Sequence, residues 1–542
     1  MLEHLSTLSD YTRLGSMYQL SLPLNLEFEI PVDDPVRLLR YVIEGMDLTA
    51  LYQTYSRIEK KQASPRQLLE ILVYANMNQI YTSRRIEESC RRDLNFMYLL
   101  EGKPAPDHAT IARFRSLHLA ACMPEIFAQL DAALQHLGVL SLENLFVDGT
   151  KIEAAANKYT FVWKRAVSKH QQKLLAHIPV WVASVEQRLG ISFHLPPTLH
   201  LYHLRKIRKK LRHLQQELHL SFVHGKGKRK SSLQRAIETV DSYLHRLKGY
   251  AYKLHRCGWR NSFSKTDKDA TFMRMKEDAM KNGQLKPAYN VQYGVDAEFI
   301  VWVTAGPQPT DTPTLLPFLA DMERHTGWRY PRVIADAGYE SEENYVGLKQ
   351  RGQTAYIKPA NYEQQKTRSY RQDIGRKENM HYDATRDIFT CAAGRPLSAS
   401  AIRHRTSASG YVAEVTQYTC QDCRGCPHKP ACIHGNRWRI PEEDRVKRIE
   451  MSKRFQQERR EDQKRISTPL GKQLRMNRSI QSEGAFAMVK EDLSFRRFLS
   501  RGQQHILVES MVVAMAANIW KLHHKIQQGK QDVHLLPLSI TA

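Results

Sequence analysis

Acidic residues are the minority charge in this chain: Asp and Glu number 56 against 81 Lys and Arg, leaving a formal net charge of +25 and a pI near 9.6. Such an imbalance favours contact with phosphates and salt-sensitive binding to nucleic acid. A solvated basic surface or attraction to an anionic membrane are the other readings of the same charge. The opening MLEHLSTLSD lacks a signal-peptide pattern. The most apolar stretch, Ile506 to Leu522, is interrupted by Glu509 and Asn518 and reads as a packed helix, not a span. Cysteine is sparse, with 8 in 542 residues and five of them inside Cys391–Cys432, which argues against a disulfide framework and for one metal cluster. A cytoplasmic protein with access to DNA and no membrane contact is expected. The length allows two to four domains of about 100–200 residues each.

What is present first is helix. Residues 1–140 read as an all-helical, DNA-binding unit. Ser64 is placed as an N-cap with Pro65 at the first helical position. Residues 83–93 (SRRIEESCRRD) and 107–115 (DHATIARFR) form short basic helices, the second capped by Asp107 and showing Arg113 and Arg115. They suit a helix-turn-helix-like reader or, alternatively, a helical bundle with a charged exterior. A second helical region interrupts the chain at about 155–285. There Leu204, Ile207, Leu211, Leu214 and Leu218, then Leu233, Ile237, Val240, Leu244 and Leu247, recur at spacings of three and four. An antiparallel helical hairpin follows, with Lys226, Lys228, Arg229 and Lys230 at its tip, against DNA backbone or in solvent.

Strand patterns frame the acids. LeuPheVal145–147 ends at Asp148, and ValIleAla333–335 ends at Asp336; both read as buried strands delivering a carboxylate at the strand end. Runs at 288–296, 299–304 and 354–359, with helices at about 312–324 and 342–351, complete an α/β order of three strands, helix, strand, helix, strand. That is the order of an RNase H-like core, spanning 141–361 with the helical insertion inside it. Glu483 opens a late amphipathic helix within 471–526, ahead of a tail at 527–542. Two strand-end carboxylates and one on a helix suit hard divalent cations such as Mg²⁺ or Mn²⁺ in phosphoryl transfer. Among rival acids, Asp296 reads as a turn residue, Asp311 as the cap of the next helix, and Glu153 as a supporting group behind Asp148. Glu491 points away from the Glu483 face.

A further insertion, about 362–470, holds Cys391 and the run Cys420, Cys423, Cys426 and Cys432. These supply enough thiolates for one tetrahedral Zn²⁺, with five candidates for four places. The Arg-, Lys- and Glu-rich segment 435–466 reads as an exposed helix or linker.

These motifs, in this order, resemble the DDE transposases of bacterial insertion sequences over nearly the whole length. The resemblance rests on SRRIEE and DHATIARFR, VDGTKIEAAANKYTFVWK (147–164), KPAYNVQ (286–292), DAGY (336–339), the cysteines and EGAFAMVKED (483–492). It implies an RNase H-like catalytic core that binds the element's terminal inverted repeats, cuts its ends and joins the 3′ hydroxyls to target DNA. It implies Asp148, Asp336 and Glu483 as the catalytic, metal-holding triad with two Mg²⁺, and a homodimer in synapsis. Lys490, seven positions after Glu483, matches the lysine of the family's tyrosine–arginine–glutamate–lysine signature and would share the glutamate's helix face to meet a phosphate. Arg478, Arg496 and Arg497 would extend that DNA contact. The tyrosine and arginine positions of the signature are Met476 and Ser479 here, with Arg478 one residue before the latter. The alternatives are a non-catalytic, transposase-derived DNA-binding protein and an endonuclease on the same fold.

Overall fold

Ser64 starts its helix as the sequence predicts: its hydroxyl accepts from the Gln67 amide, and the Gln67 side chain accepts from the Ser64 amide. This reciprocal cap satisfies amide donors that a helix N-terminus otherwise leaves unpaired. The computed structural model describes residues 29–57, 59, 61–225, 229–275, 284–433 and 440–530. In the N-terminal region the helices are α1 (Pro35–Glu44), α2 (Thr49–Gln53), α3 (Pro65–Met77), α4 (Ser83–Arg92), α5 (Leu94–Leu100), α6 (His108–Arg113) and α7 (Leu119–His136). A π turn, Phe114–His118, joins the last two. Asp107 caps α6 by accepting from the Thr110 amide at 2.6 Å.

The central sheet is mixed. Strand β1 (Asn144–Glu153) lies between β5 (Leu285–Asp296), to which it is antiparallel, and β7 (Arg332–Ala335), to which it is parallel. Strand β8 (Thr354–Ile357) pairs parallel to β7. On the far side of β5, β6 (Phe299–Gly306) and the short β4 (Thr271–Arg274) both pair antiparallel. Strands β2 (Phe161–Trp163) and β3 (Ser262–Ser264) form a separate ribbon. The strands and helices expected between 288 and 359 are all present, the helices being α11 (Leu315–Thr326) and α12 (Glu342–Gln350).

Among the described residues, the interruption after β1 holds, besides β2 and β3, three helices, α8 (Lys164–Leu189), α9 (Leu201–Glu217) and α10 (Ser232–Cys257), where a two-helix hairpin was expected. The reason is α8, whose Leu174, Ile178, Val182 and Val185 join the leucine faces of α9 and α10 in one buried cluster. Leu174, Ile178, Val182 and Val185 recur at the same three- and four-residue spacing. Leu218, expected in the α9 face, lies exposed at the helix end.

The cysteine-bearing segment also differs from expectation. Five antiparallel strands, β9 (His381–Asp383), β10 (Ile388–Thr390), β11 (Pro396–Thr406), β12 (Val412–Cys420) and β13 (Arg448–Met451), form a sheet of their own. Helix α13 (Arg368–Gln372) precedes it in the chain, and α14 (Lys429–Cys432) lies between β12 and β13. Next, α15 (Lys453–Ser467) is half-sunk in the fold: Asp462 is fully buried and accepts from the Ile357 amide. Helix α16 (Pro469–Ala487) crosses β1, β5 and β7.

Helix α17 (Gln503–Gln527) is the hub. It is the one described helix long and apolar enough to cross a membrane by composition, and most of it is buried inside the fold. Asn518 locks it to β6, its amide accepting from the Ile300 N–H at 2.9 Å and donating to the Ile300 carbonyl at 2.8 Å. One hydrophobic core runs from the N-terminal helices through the sheet to this helix.

Candidate active site

Strand pairing puts Asp148 and Asp336 side by side. The parallel register of β1 and β7 ends at Val147 opposite Ala335, so the next residue on each strand is an aspartate at the point where the two part. Asp336 is at a strand end, as expected. Asp148 is not: β1 continues to Glu153 against β5, and only its β7 partner is lost. Each carboxylate is fixed by its own backbone, Asp148 Oδ1 accepting from the Gly149 N–H and Asp336 Oδ1 from the Gly338 N–H, both at 2.8 Å.

Helix α16 supplies the next group. Arg478 Nη1 donates to Asp148 Oδ2 at 2.7 Å, with Asp148 buried and Arg478 half-buried. The arginine expected to meet DNA therefore holds the first acid. Glu483 lies on the same helix but is exposed. The expected shared face of Glu483 and Lys490 is not formed. The α-helix stops at Ala487 and widens into a π turn, Met488–Asp492, which changes the angular register. Lys490 is turned inward and buried, away from any exposed DNA clamp.

Asp311 was missed as part of this region. It is no side-chain cap; its Oδ1 accepts from Asn290 Nδ2 at 2.6 Å and Gln292 Nε2 at 3.1 Å on β5. Gln292 Oε1 accepts in turn from the buried Tyr339 hydroxyl. Burial, and then the negative fields of Asp311, Asp148 and Asp336, hold that hydroxyl well above its ordinary pKa. A methyl group on Gly149 would lie 2.5 Å from Asp311 Oδ1 and 2.6 Å from Gln292 Nε2, so glycine is required there by close approach. The signal in the sequence was the pair of glycines following the two aspartates.

The other expected residues scatter. Arg113 is exposed on α6. Arg115 instead lines a small cavity of about 20 Å³ with Glu509 and Tyr81, facing into the molecule where a DNA contact was expected. Burial lowers its pKa and Glu509 opposes that shift. Arg496 and Arg497 are exposed, Arg496 paired with Glu491 and Arg497 at 4.0 Å from Glu153. Arg229 and Lys230 are exposed, Lys230 paired with Glu238 at 2.7 Å; Lys226 and Lys228 lie outside the described residues. Glu153 pairs with Lys286 at 2.9 Å and does not support Asp148. Asp296 is structural, accepting from Ser141, Leu142 and Tyr330.

Among the described residues, no three His, Cys, Asp or Glu side chains are gathered into a ready metal-holding group. For Mg²⁺ this is no obstacle, because that ion is commonly held by one or two carboxylates plus water and substrate phosphates. Two aspartates at neighbouring strand positions, each carboxylate held by a backbone amide, fit that demand. The five cysteines do line one cavity, with His428 and Lys447 beside them, and none forms a disulfide. Burial and the adjacent Cys423 thiol push Cys420 up to about 11. Burial also raises Cys432, against the pull of Lys447. The donor set suits zinc once the thiols are drawn together.

Comparison with known families gives two matches. Residues 24–117 match a Transposase domain (DUF772), and residues 390–523 match a Transposase DDE domain. The second covers the cysteines, Arg478 and Glu483; Asp148 and Asp336 lie outside it. No curated protein matches the chain, and no solved structure does.

Proposed function

We propose, from the premise that these two matches indicate a DDE transposase of an insertion sequence, that the chain binds the terminal inverted repeats of its element and catalyses divalent-metal-dependent strand cleavage and strand transfer. The observation that carries this reading is the adjacency of Asp148 and Asp336 on neighbouring parallel strands. The sheet supports an RNase H-like core, since an antiparallel meander of β1, β5 and β6 is followed by two strands parallel to β1. The three-helix interruption and the cysteine-bearing sheet are insertions into that core.

Asp148 and Asp336 would hold Mg²⁺ or Mn²⁺, with Glu483 completing a two-ion site when DNA lies across α16. Such ions supply an activated water or 3′ hydroxyl and stabilisation of the leaving 3′ oxygen. The chain's own part is geometry and charge. Arg478 balances Asp148 before DNA arrives and would turn to a phosphate oxygen when the acid takes up a metal ion. Exposed Arg84, Arg85 and Arg113 on the N-terminal helices, and Arg496 and Arg497 beyond α16, are the backbone-binding surface. The cysteines hold one structural Zn²⁺. Two copies act together on two DNA ends in the cytoplasm.

A transposase-derived DNA-binding protein without cleavage is the second reading, favoured by Arg478 on Asp148 and by the separation of Glu483 from its partners. Nicking assays on duplexes bearing the element's inverted repeats separate the two. Mg²⁺-dependent nicking at the repeat ends, absent on random duplex, supports the transposase; end binding with no nicking in Mg²⁺ or Mn²⁺ supports the rival.

A further inference from the structure

Asp311 lies on the opposite side of β1 from the Asp148 carboxylate. Neighbouring residues of a strand point to opposite faces. Asp148 is opposite Tyr293 and Gly149 opposite Gln292, so the Gln292 side chain and the Asp311 carboxylate it binds sit behind the backbone that carries Asp148. Asn290, two residues along β5, shares that face and grips the same oxygen. The loop holding Asp311 reaches the other aspartate as well. The Thr312 hydroxyl donates to the Gly338 carbonyl at 2.7 Å, and a methyl on Gly338 would meet Asp311 Oδ2 at 3.3 Å and Asp336 Oδ1 at 3.0 Å. Asn344 at the start of α12 closes the frame, donating to the carbonyls of Thr312 and Tyr339.

We infer that Asp311 is a positioning residue of the acidic centre: a strut, tied to β5 on one side and to the 336–339 turn on the other, that sets the spacing of Asp148 and Asp336. The inference rests on the transposase reading of that centre. Asp311 needs no contact with metal or DNA to act, because it works through the two glycine-containing backbone segments it touches. Groups of this kind orient first ligands, and their loss costs about 10–100-fold in metal affinity or activity.

Three variants and two readouts test it. Asp311→Ala should weaken Mn²⁺ binding to the DNA-free protein, followed by electron paramagnetic resonance, by at least about tenfold. It should slow nicking comparably while leaving affinity for the terminal-repeat duplex unchanged. Asp311→Asn, which keeps an oxygen for Asn290 and Gln292, should recover most of both. Gly149→Ala should be impaired alone, yet add little to Asp311→Ala, because removing the carboxylate clears the 2.5 Å contact and leaves Gln292 Nε2, the other close atom, without the acceptor that holds it. Mn²⁺ affinity and nicking at wild-type levels in Asp311→Ala overturn the inference. So does a parallel fall in DNA affinity and melting temperature that Asp311→Asn does not rescue. Full nicking by Asp148→Asn would instead sink the reading of the centre itself.

Discussion

Arg478 and Asp148, 330 residues apart in sequence, form an ion pair of 2.7 Å that joins helix α16 to strand β1. The guanidinium occupies one oxygen of the first acid, in a place where a cation would otherwise compensate its charge. Removing one cation beside a buried carboxylate raises its demand for another. Arg478→Gln should therefore tighten Mn²⁺ binding to the DNA-free protein by up to about tenfold, the equivalent of roughly 1.4 kcal/mol, while slowing nicking. Weaker Mn²⁺ binding in this variant would mean that the arginine helps build the site and does not compete with the ion.

Arg497 is exposed and only loosely paired with Glu153. If it meets a phosphate, Arg497→Ala lowers the salt slope of end binding by about one unit, with little change in sequence preference. Lys490→Ala should leave that slope unchanged, since Lys490 is buried. An unaltered slope for Arg497 and an altered one for Lys490 would reverse the assignment.

Asp462 provides a pH test of how α15 is seated. Burial pushes its carboxyl up to about 7, opposed by the Ile357 amide and Arg465. The folded pKa thus exceeds the unfolded value of about 4. Between about pH 4 and pH 7 the unfolded chain has released this proton and the folded chain retains it, so stability falls as pH rises, by at most about 1.4 kcal/mol per unit. Asp462→Asn removes that contribution. Its melting temperature should gain on the wild type from pH 5 to pH 8 and show no further relative gain above that; parallel curves would refute the shift.

The cysteine cavity predicts one zinc per chain in metal analysis of purified protein. Chelation should lower the melting temperature of the β9–β13 segment, by limited proteolysis, and leave Mn²⁺ binding near Asp148 intact. Protein free of zinc with unchanged protease resistance would make the five thiols ordinary reduced side chains.

Much of this was legible in the chain because it is local. The Ser64 cap, the strands leading to Asp148 and Asp336, and the packed helix at 506–522 follow from hydrophobic period and capping chemistry. What was not legible depends on register between distant segments. Arg478 reads as one more cation until α16 is laid across β1. Asp311 stands before a proline-containing turn and looks like a cap until β5 places Asn290 and Gln292 beneath it. The turn of Lys490 into the interior follows from a π turn that has no periodic signature, and Arg115 faces inward because α17 brings Glu509 to it. Of the strands at 381–451, β9, β10 and β13 were hidden by shortness and β11 by its mostly exposed, polar faces.

The most direct measurement is Mg²⁺-dependent nicking of a duplex carrying the element's own terminal repeat, run with wild type, Asp148→Asn and Asp336→Asn beside a binding assay on the same DNA. The account predicts nicking at the repeat end by wild type, none detectable by either variant, and terminal-repeat affinity within about twofold for all three, because these substitutions preserve shape and remove only charge. Nicking at the wild-type rate by either variant would contradict it.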